Sequence, residues 1–186
     1  MAIQRLKIEG YGQLELNQVA FPRDGRIEAQ CKLDETDFAK IPAENGMLLM
    51  VDRAVRRIKL PVKSSKLPIA INYSTEHMYD ERKPGLKDFK LGLNDFLPRL
   101  GYLAIGDKFT TNCVSYDTSE FNDDEALKEA LTAEARKSAP VYGGVCENGS
   151  ILLSATEPTE GPVLLVVEDY TMPDGQYGLK FWCIKD

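Results

Sequence analysis

Two turn dipeptides near the end of the chain constrain its fold more than any other feature. Asn148-Gly149 and Asp174-Gly175 each stand between runs of apolar, β-branched and aromatic residues. Asn-Gly and Asp-Gly tolerate the positive φ angles that tight hairpin turns require, so both are strong short-range hairpin signals. We therefore predict a four-stranded antiparallel unit made of two hairpins, which pair residues 141–146 with 151–155 and residues 163–169 with 177–184.

The last of these predicted strands has bulky apolar groups on both faces. Tyr177, Leu179, Phe181 and Cys183 alternate with a second set that includes Trp182 and Ile184. A half-buried strand has polar residues on one face, whereas a fully buried strand does not. We expect this strand to be covered on both sides.

One helix is predicted, over residues 122–137. Asn122 is suited to cap its start, and Glu125 follows three residues later, which is the spacing of a capping box. Asp123 and Asp124 favour the positive end of the helix dipole. Pro140 lies beyond the expected end of the helix.

Shorter strand patterns fill the first part of the chain. Asp24-Gly25 is a further hairpin signal, and Pro68 indicates either an edge strand or the start of a strand. Residues 74–93 lack a consistent period, and we interpret them as an irregular excursion with one helical turn. The strands predicted before residue 120 are residues 3–8, 14–19, 27–33, 47–51, 55–60, 67–73 and parts of 98–116.

These patterns predict a mainly β fold, with antiparallel sheets or small barrels and one short α-helix in the C-terminal half. A chain of 186 residues forms one large domain or two small ones. The pattern favours an N-terminal β-rich domain over residues 1–95 and a C-terminal β domain over residues 96–186, with the helix packed on the second.

The four cysteines are predicted to be buried, reduced thiols. Cys31, Cys113, Cys146 and Cys183 lie in strand-like runs, and none belongs to a CxxC pair. Free cysteine behaves as a small apolar side chain. If the protein works outside a cell, Cys146 and Cys183 are the first pair to examine for a disulfide.

No segment of the sequence suggests secretion or membrane insertion. The start of the chain is charged and alternating, and no apolar run approaches the roughly 20 residues of a membrane span. We expect a soluble protein that is made in the cytoplasm without a secretion step and has no membrane partner.

The net charge of −6 is unevenly distributed along the chain. Residues 1–100 contain 17 Lys and Arg against 14 Asp and Glu, whereas residues 101–186 contain 6 against 15. A general nucleic-acid binder needs a basic face, so we expect no nucleic-acid partner. A bipolar chain is better suited to docking on a complementary protein surface or on its own copies.

A basic run in the N-terminal half is the first candidate for such a docking surface. It extends to Lys63 and Lys66. It lacks the aromatic residues that stand between the basic ones in proteins that bind single-stranded nucleic acid. The alternative is a solvated face. The second candidate is the excursion over residues 74–93, with three apolar anchors. The predicted partner-binding residues are Arg53, Arg56, Arg57 and Lys59 in the basic run, and Tyr79, Phe89 and Leu91 in the excursion.

No constellation of residues in the sequence indicates catalysis. His77 is the only histidine, and it has no nucleophile and acid at a recognisable spacing. An acidic cluster lacks the alternating Asp and Asn residues of an EF-hand calcium loop. A zinc site would need clustered Cys or His ligands, and that spacing is absent from the sequence. We predict that the chain is not an enzyme and that it has no metal and no cofactor. The acidic cluster consists of Asp117, Glu120, Asp123, Asp124 and Glu125.

Three stretches resemble the small accessory virion proteins of tailed bacteriophages, the class that decorates the capsid. The first is MAIQRLKIEGYGQLELNQ with RIEAQCKL. The second is NGMLLMVDRAVRRIKLP with LPIAINYSTEHMYDERKPGLKDFKL. The third is LGYLAIGDKFTTNCVSYD, followed by the helix and the hairpins that contain MPDGQYGLKFWCI. The likeness is one of general pattern and spans most of the chain.

This resemblance implies a non-enzymatic virion structural protein, a capsid decoration or head-accessory protein. Its partners would be the major capsid protein and its own copies, and its location the capsid surface. One alternative is another virion position, in the tail or at the head–tail junction. The other is a small hydrolase or a carbohydrate-binding module, whose paired carboxylates a sequence alone does not reveal.

Overall fold

The computed structural model describes residues 2–74 and 86–186, which form two β-sheets and three short α-helices. A short 3-10 helix covers Leu86–Asp88. The helices are α1 (Phe21–Asp24), α2 (Asp124–Ala130) and α3 (Ala133–Ser138). The strands are β1 (Ile3–Arg5), β2 (Leu14–Gln18), β3 (Ile27–Glu28), β4 (Lys32–Leu33), β5 (Leu48–Asp52), β6 (Arg57–Lys59), β7 (Ile69–Asn72), β8 (Leu100–Gly101), β9 (Lys108–Thr111), β10 (Val114–Asp117), β11 (Tyr142–Val145), β12 (Ile151–Ser154), β13 (Val163–Thr171) and β14 (Tyr177–Lys185).

The larger sheet has eight strands in the order β1-β10-β12-β11-β13-β14-β9-β2. Its neighbouring strands are antiparallel, except that β10 and β12 run parallel. The two strands from the start of the chain form the outer edges. The C-terminal strands form the centre.

The smaller sheet has six strands in the order β3-β8-β7-β5-β6-β4. Here β4 and β6 run parallel, and the other pairs are antiparallel. Its two edge strands are only two residues long. Very short edge strands offer little unpaired backbone to other chains.

The predicted mainly β fold with antiparallel sheets is confirmed. Within the described residues both sheets are open, so the alternative of small barrels is wrong. The division into domains at residue 95 stays a prediction. Strand pairing crosses that boundary, because β1 and β2 belong to the larger sheet and β8 belongs to the smaller one.

Both C-terminal hairpins are confirmed, and they form the contiguous unit β12-β11-β13-β14. Gly149 and Gly175 have φ angles of 85° and 86°, as their turns require. The expectation that the last strand is covered on both faces is wrong. Trp182 is 40% exposed, and Lys180 and Ile184 on the same face are only partly buried.

The predicted helix over residues 122–137 is two helices, α2 and α3. The side chain of Asp123, and not that of Asn122, caps α2 by accepting a hydrogen bond from the Ala126 N–H at 2.8 Å. Thr132 begins α3 in the same way. The break follows Leu131, which is fully buried.

The strand predicted over residues 27–33 is also divided. Its two ends are β3 and β4, which lie on opposite edges of the smaller sheet. Ile27 is 42% exposed, whereas Cys31 and Leu33 are buried. Asp24-Gly25 ends α1 and does not form a hairpin, since Gly25 is the left-handed residue after that helix.

Two further predictions concern residues 67–93. Pro68 marks the start of a strand and not an edge, because β7 lies inside the smaller sheet between β8 and β5. The helical turn expected in the excursion matches the 3-10 helix at Leu86–Asp88. Residues 75–85 lie outside the described part of the chain.

The two sheets share their apolar core. The first cluster joins the inner face of the larger sheet to Leu127 of α2, and it also contains Leu48 and Ile71 from the smaller sheet. The second cluster fills the smaller sheet and contains Cys113, which lies next to β10. The core of each sheet therefore contains residues from the part of the chain that forms the other sheet.

Candidate interaction site

The second half of the predicted basic run is tied to the smaller sheet. Arg57 donates from Nη2 to Glu35 Oε1 at 2.9 Å and from Nη1 to the Leu33 carbonyl at 3.3 Å. Lys59 Nζ lies 3.0 Å from Asp52 Oδ2, and this hydrogen bond raises the pKa of Lys59 and lowers the pKa of Asp52. These two cations hold neighbouring segments together.

The first half of the basic run is an exposed hairpin turn. We call residues 53–56, which join β5 to β6, the Arg53–Arg56 turn, and all four are exposed. The Arg53 guanidinium lies 5.2 Å from the Tyr102 ring, and Arg53 Nε lies 3.8 Å from Glu28 Oε2. Arg56 donates to the Gln30 carbonyl at 3.0 Å. Val55 is 57% exposed between the two arginines.

The three predicted apolar anchors of the excursion differ in burial and in whether the structure describes them. Tyr79 and His77 lie outside the described residues. Phe89 is half-buried, with its ring centroid 6.2 Å from that of Phe96. Leu91 is fully buried and pairs through its backbone with Ala43, so its side chain does not reach the surface of this structure.

The acidic cluster takes part in local hydrogen bonding. Asp117 accepts from Ser119 N at 2.9 Å, and the bonds from Ser119 lower the pKa of Asp117. Asp124 accepts from the Tyr116 hydroxyl at 2.7 Å, and Glu120 accepts from Ala155 N at 2.8 Å. Within residues 2–74 and 86–186 no group of three Asp, Glu, Cys or His is placed to hold a metal ion. The absence of metal stays a prediction.

The four cysteines are free and buried, as predicted. Burial raises the pKa of the Cys113 thiol to about 12 and that of the Cys183 thiol to about 11. A reactive cysteine needs a lowered pKa, which favours the thiolate. Both thiols therefore act as apolar side chains, and Cys146 and Cys183 do not form the disulfide considered for them.

A part-buried ion pair joins the two sheets near Cys113. Arg5 of β1 donates from Nη1 to Glu44 Oε1 at 2.7 Å and bonds the second carboxylate oxygen through Nη2. Glu44 also accepts from Gly12 N at 2.6 Å, and its carbonyl accepts from Asn72 Nδ2 at 2.9 Å. A bidentate pair of this kind fixes geometry as well as charge. It ties the first strand to the segment before β5.

A groove lies between the outer face of the larger sheet and the loop that follows β6. It consists of two adjoining depressions of about 540 Å³ and about 240 Å³, which share Lys63, Val145, Leu152 and Glu160. We call it the acidic groove, because four carboxylates and one lysine line it. These residues are Asp117, Glu147, Glu157, Glu160 and Lys63.

Most of the surface that lines the acidic groove is apolar. Gly144 lets Pro158 pack directly against β11, since a Cβ at this position would lie 2.7 Å from Pro158 Cγ. Val62 is 64% exposed and Ile3 is 44% exposed at its rim. Apolar side chains left open to water inside a concave surface mark sites that bind other molecules. The apolar lining includes Ile3, Met50, Val62, Ile69, Val145 and Leu152.

Sequence reasoning missed the acidic groove because seven separate segments build it. They are β1, β5, residues 61–65, β7, β10, the hairpin of β11 and β12, and residues 156–161. The single sequence signal was the acidic balance of residues 101–186, which supplies all four carboxylates. Nothing in the local pattern shows that Ile3 and Val62 meet there.

Comparison of the chain with protein-family models, curated proteins and solved structures finds no match. In the described part of the chain, no helix has both the length and the apolar character that a membrane crossing demands.

Proposed function

We propose that this chain is a non-enzymatic structural protein of a virion, a capsid decoration or head-accessory protein of a tailed bacteriophage. In this role it binds the lattice of the major capsid protein and its own copies. It is made in the host cytoplasm and works on the capsid surface. The resemblance of three stretches of the sequence to this class supports the proposal.

The acidic groove is the observation that carries the proposal furthest. Its apolar lining and its rim of carboxylates suit a protein segment that presents apolar and basic side chains together. The chain also presents an exposed hairpin turn of the opposite character, the Arg53–Arg56 turn. A protein that attaches to a lattice and to its own copies needs more than one docking surface, and these two features supply them.

Quantitative mass spectrometry of purified particles tests the proposed function. We expect this chain in a fixed ratio to the major capsid protein, because a decoration protein occupies repeated positions on a symmetric lattice. Only a few copies per particle would favour the tail or the head–tail junction. Absence from the particles would contradict the virion role and favour the hydrolase or carbohydrate-binding alternative.

A further inference from the structure

The Arg53–Arg56 turn is complementary to the acidic groove in both charge and polarity. The turn presents two exposed apolar residues, Ala54 and Val55, between two arginines. The groove presents an apolar lining rimmed by the exposed carboxylates of Glu147, Glu157 and Glu160. Complementary charge at a rim steers encounter and fixes register, while apolar burial supplies most of the affinity.

The turn is held in a shape suited to insertion. Asp52 Oδ1 accepts from Val55 N at 3.4 Å, and Arg56 adopts a φ of 55° that closes the turn. The Arg53 side chain remains 65% exposed despite its contact with Glu28. A turn that is already ordered loses little conformational entropy when it binds.

The turn of one molecule does not reach the groove of the same molecule. Met50 lines the groove, and β5 continues from it to Asp52, which pairs with Arg57 of β6. A strand rises about 3.3 Å per residue, so this paired hairpin holds the turn roughly 10 Å beyond Met50. Docking therefore requires a second molecule.

We propose that the Arg53–Arg56 turn of one copy of this chain docks in the acidic groove of a second copy, with Val55 on the apolar lining and Arg53 beside Glu157 and Glu160. The contact joins two different surfaces. Each copy can therefore insert its turn into one neighbour and accept the turn of another neighbour in its groove. The proposal rests on the self-association included in the proposed function, and it does not require the capsid.

Sedimentation of the purified chain over a range of concentrations tests this contact without particles. We expect the wild-type chain to self-associate reversibly and more weakly at high salt, since salt screens exposed charges. Arg53→Glu, and separately the double change Glu157→Lys with Glu160→Lys, should each weaken association by at least about tenfold, because like charges then face each other. Circular dichroism and Trp182 emission check that each variant is folded.

Mixing the two variants gives the sharpest result. In the mixture, a glutamate in the turn meets a lysine-lined groove, and an arginine in the turn meets an acidic groove. Association in the mixture should be stronger than that of either variant alone and approach that of the wild type. Val55→Ser should also weaken association, whereas Ile105→Ser, at a side chain that is 66% exposed elsewhere, should leave it unchanged.

Several results would overturn the proposal. They are a wild-type chain that stays monomeric at every concentration, folded variants that associate as the wild type does, and a mixture that does not recover. If the chain is monomeric but the groove variant fails to bind particles, the groove accepts a segment of the capsid instead. Presence of the chain in particles is measured separately, so failure of this contact does not count against the virion role.

Discussion

Both sheets pack against an apolar cluster, but they are built from different kinds of strand. The larger sheet is centred on β13 and β14, two nine-residue strands joined by one tight turn. The strands of the smaller sheet are two to five residues long, and long connections lead from β4 to β5 and from β7 to β8. Long paired strands stabilise themselves through many cross-strand contacts. Short strands make few cross-strand contacts and depend on packing against other parts of the chain. The stability of the smaller sheet therefore depends on its contacts with the larger sheet.

Three kinds of contact link the smaller sheet to the larger one. Leu48 and Ile71 of the smaller sheet pack in the apolar cluster of the larger one, and the Arg5–Glu44 ion pair links β1 to the segment before β5. The backbone adds a third link, since Leu48 N donates to the Gly149 carbonyl at 2.7 Å. We infer that the two sheets fold as one cooperative unit, despite their different constructions.

Breaking the ion pair between the sheets should have the largest effect. Glu44→Ala leaves the Arg5 guanidinium without its partner, which costs about 3–5 kcal/mol for a fully buried pair. The Arg5 side chain is 33% exposed, so we expect about 3 kcal/mol in urea denaturation.

Glu35→Ala is the matched control for this change. It removes the partner of Arg57, but Glu35 is 74% exposed, and surface pairs contribute about 0–1 kcal/mol. Equal losses of stability in the two variants would show that the Arg5–Glu44 pair stabilises the fold no more than a surface pair does.

The two hairpin turns of the larger sheet should respond unequally to valine. Both glycines have positive φ, which costs a β-branched residue about 1–3 kcal/mol. A Cβ at Gly149 would also lie 3.3 Å from Met47 Sδ and from Leu49 Cδ2, whereas Gly175 has open space around it. Gly149→Val should therefore lower the melting temperature more than Gly175→Val. A wild-type melting temperature in both variants would contradict the turn assignment.

The cap of α2 should give the smallest effect. Asp123→Ala removes the hydrogen bond to Ala126 N and should cost about 0.5–2 kcal/mol of stability. Asn122→Ala should change stability by less than about 0.5 kcal/mol, because it is a surface change away from the cap. Thermal denaturation of the two variants compares them directly. The reverse order would restore Asn122 as the cap.

Local sequence signals predicted the centre of the larger sheet and the strands β5, β6 and β7 of the smaller one. Asn148-Gly149 and Asp174-Gly175 each carry enough turn chemistry to fix a hairpin without knowledge of the rest of the chain. The division of residues 27–33 carries no such signal. The pattern from Ile27 to Leu33 alternates cleanly, yet its two ends pair with strands that lie far apart in the sheet.

The candidate site was predicted in part. The basic run correctly indicated Arg53 and Arg56 as exposed residues, since both lie on an exposed turn. It also included Arg57 and Lys59, whose side chains are paired with carboxylates of neighbouring segments. Sequence shows charge but does not show which charges are already paired. The acidic groove was not predicted, because Ile3 and Val62 meet only after both sheets have formed.

Urea denaturation followed by one probe in each sheet tests the cooperative unit most directly. Trp182 is the only tryptophan and lies on β14, so its emission reports on the larger sheet. Amide hydrogen exchange over residues 48–72 reports on the smaller sheet. We predict that both probes give the same urea midpoint, as a two-state transition requires. Loss of protection over residues 48–72 at a lower urea concentration, while Trp182 keeps its native emission, would show that the sheets unfold separately and would contradict this description of the fold.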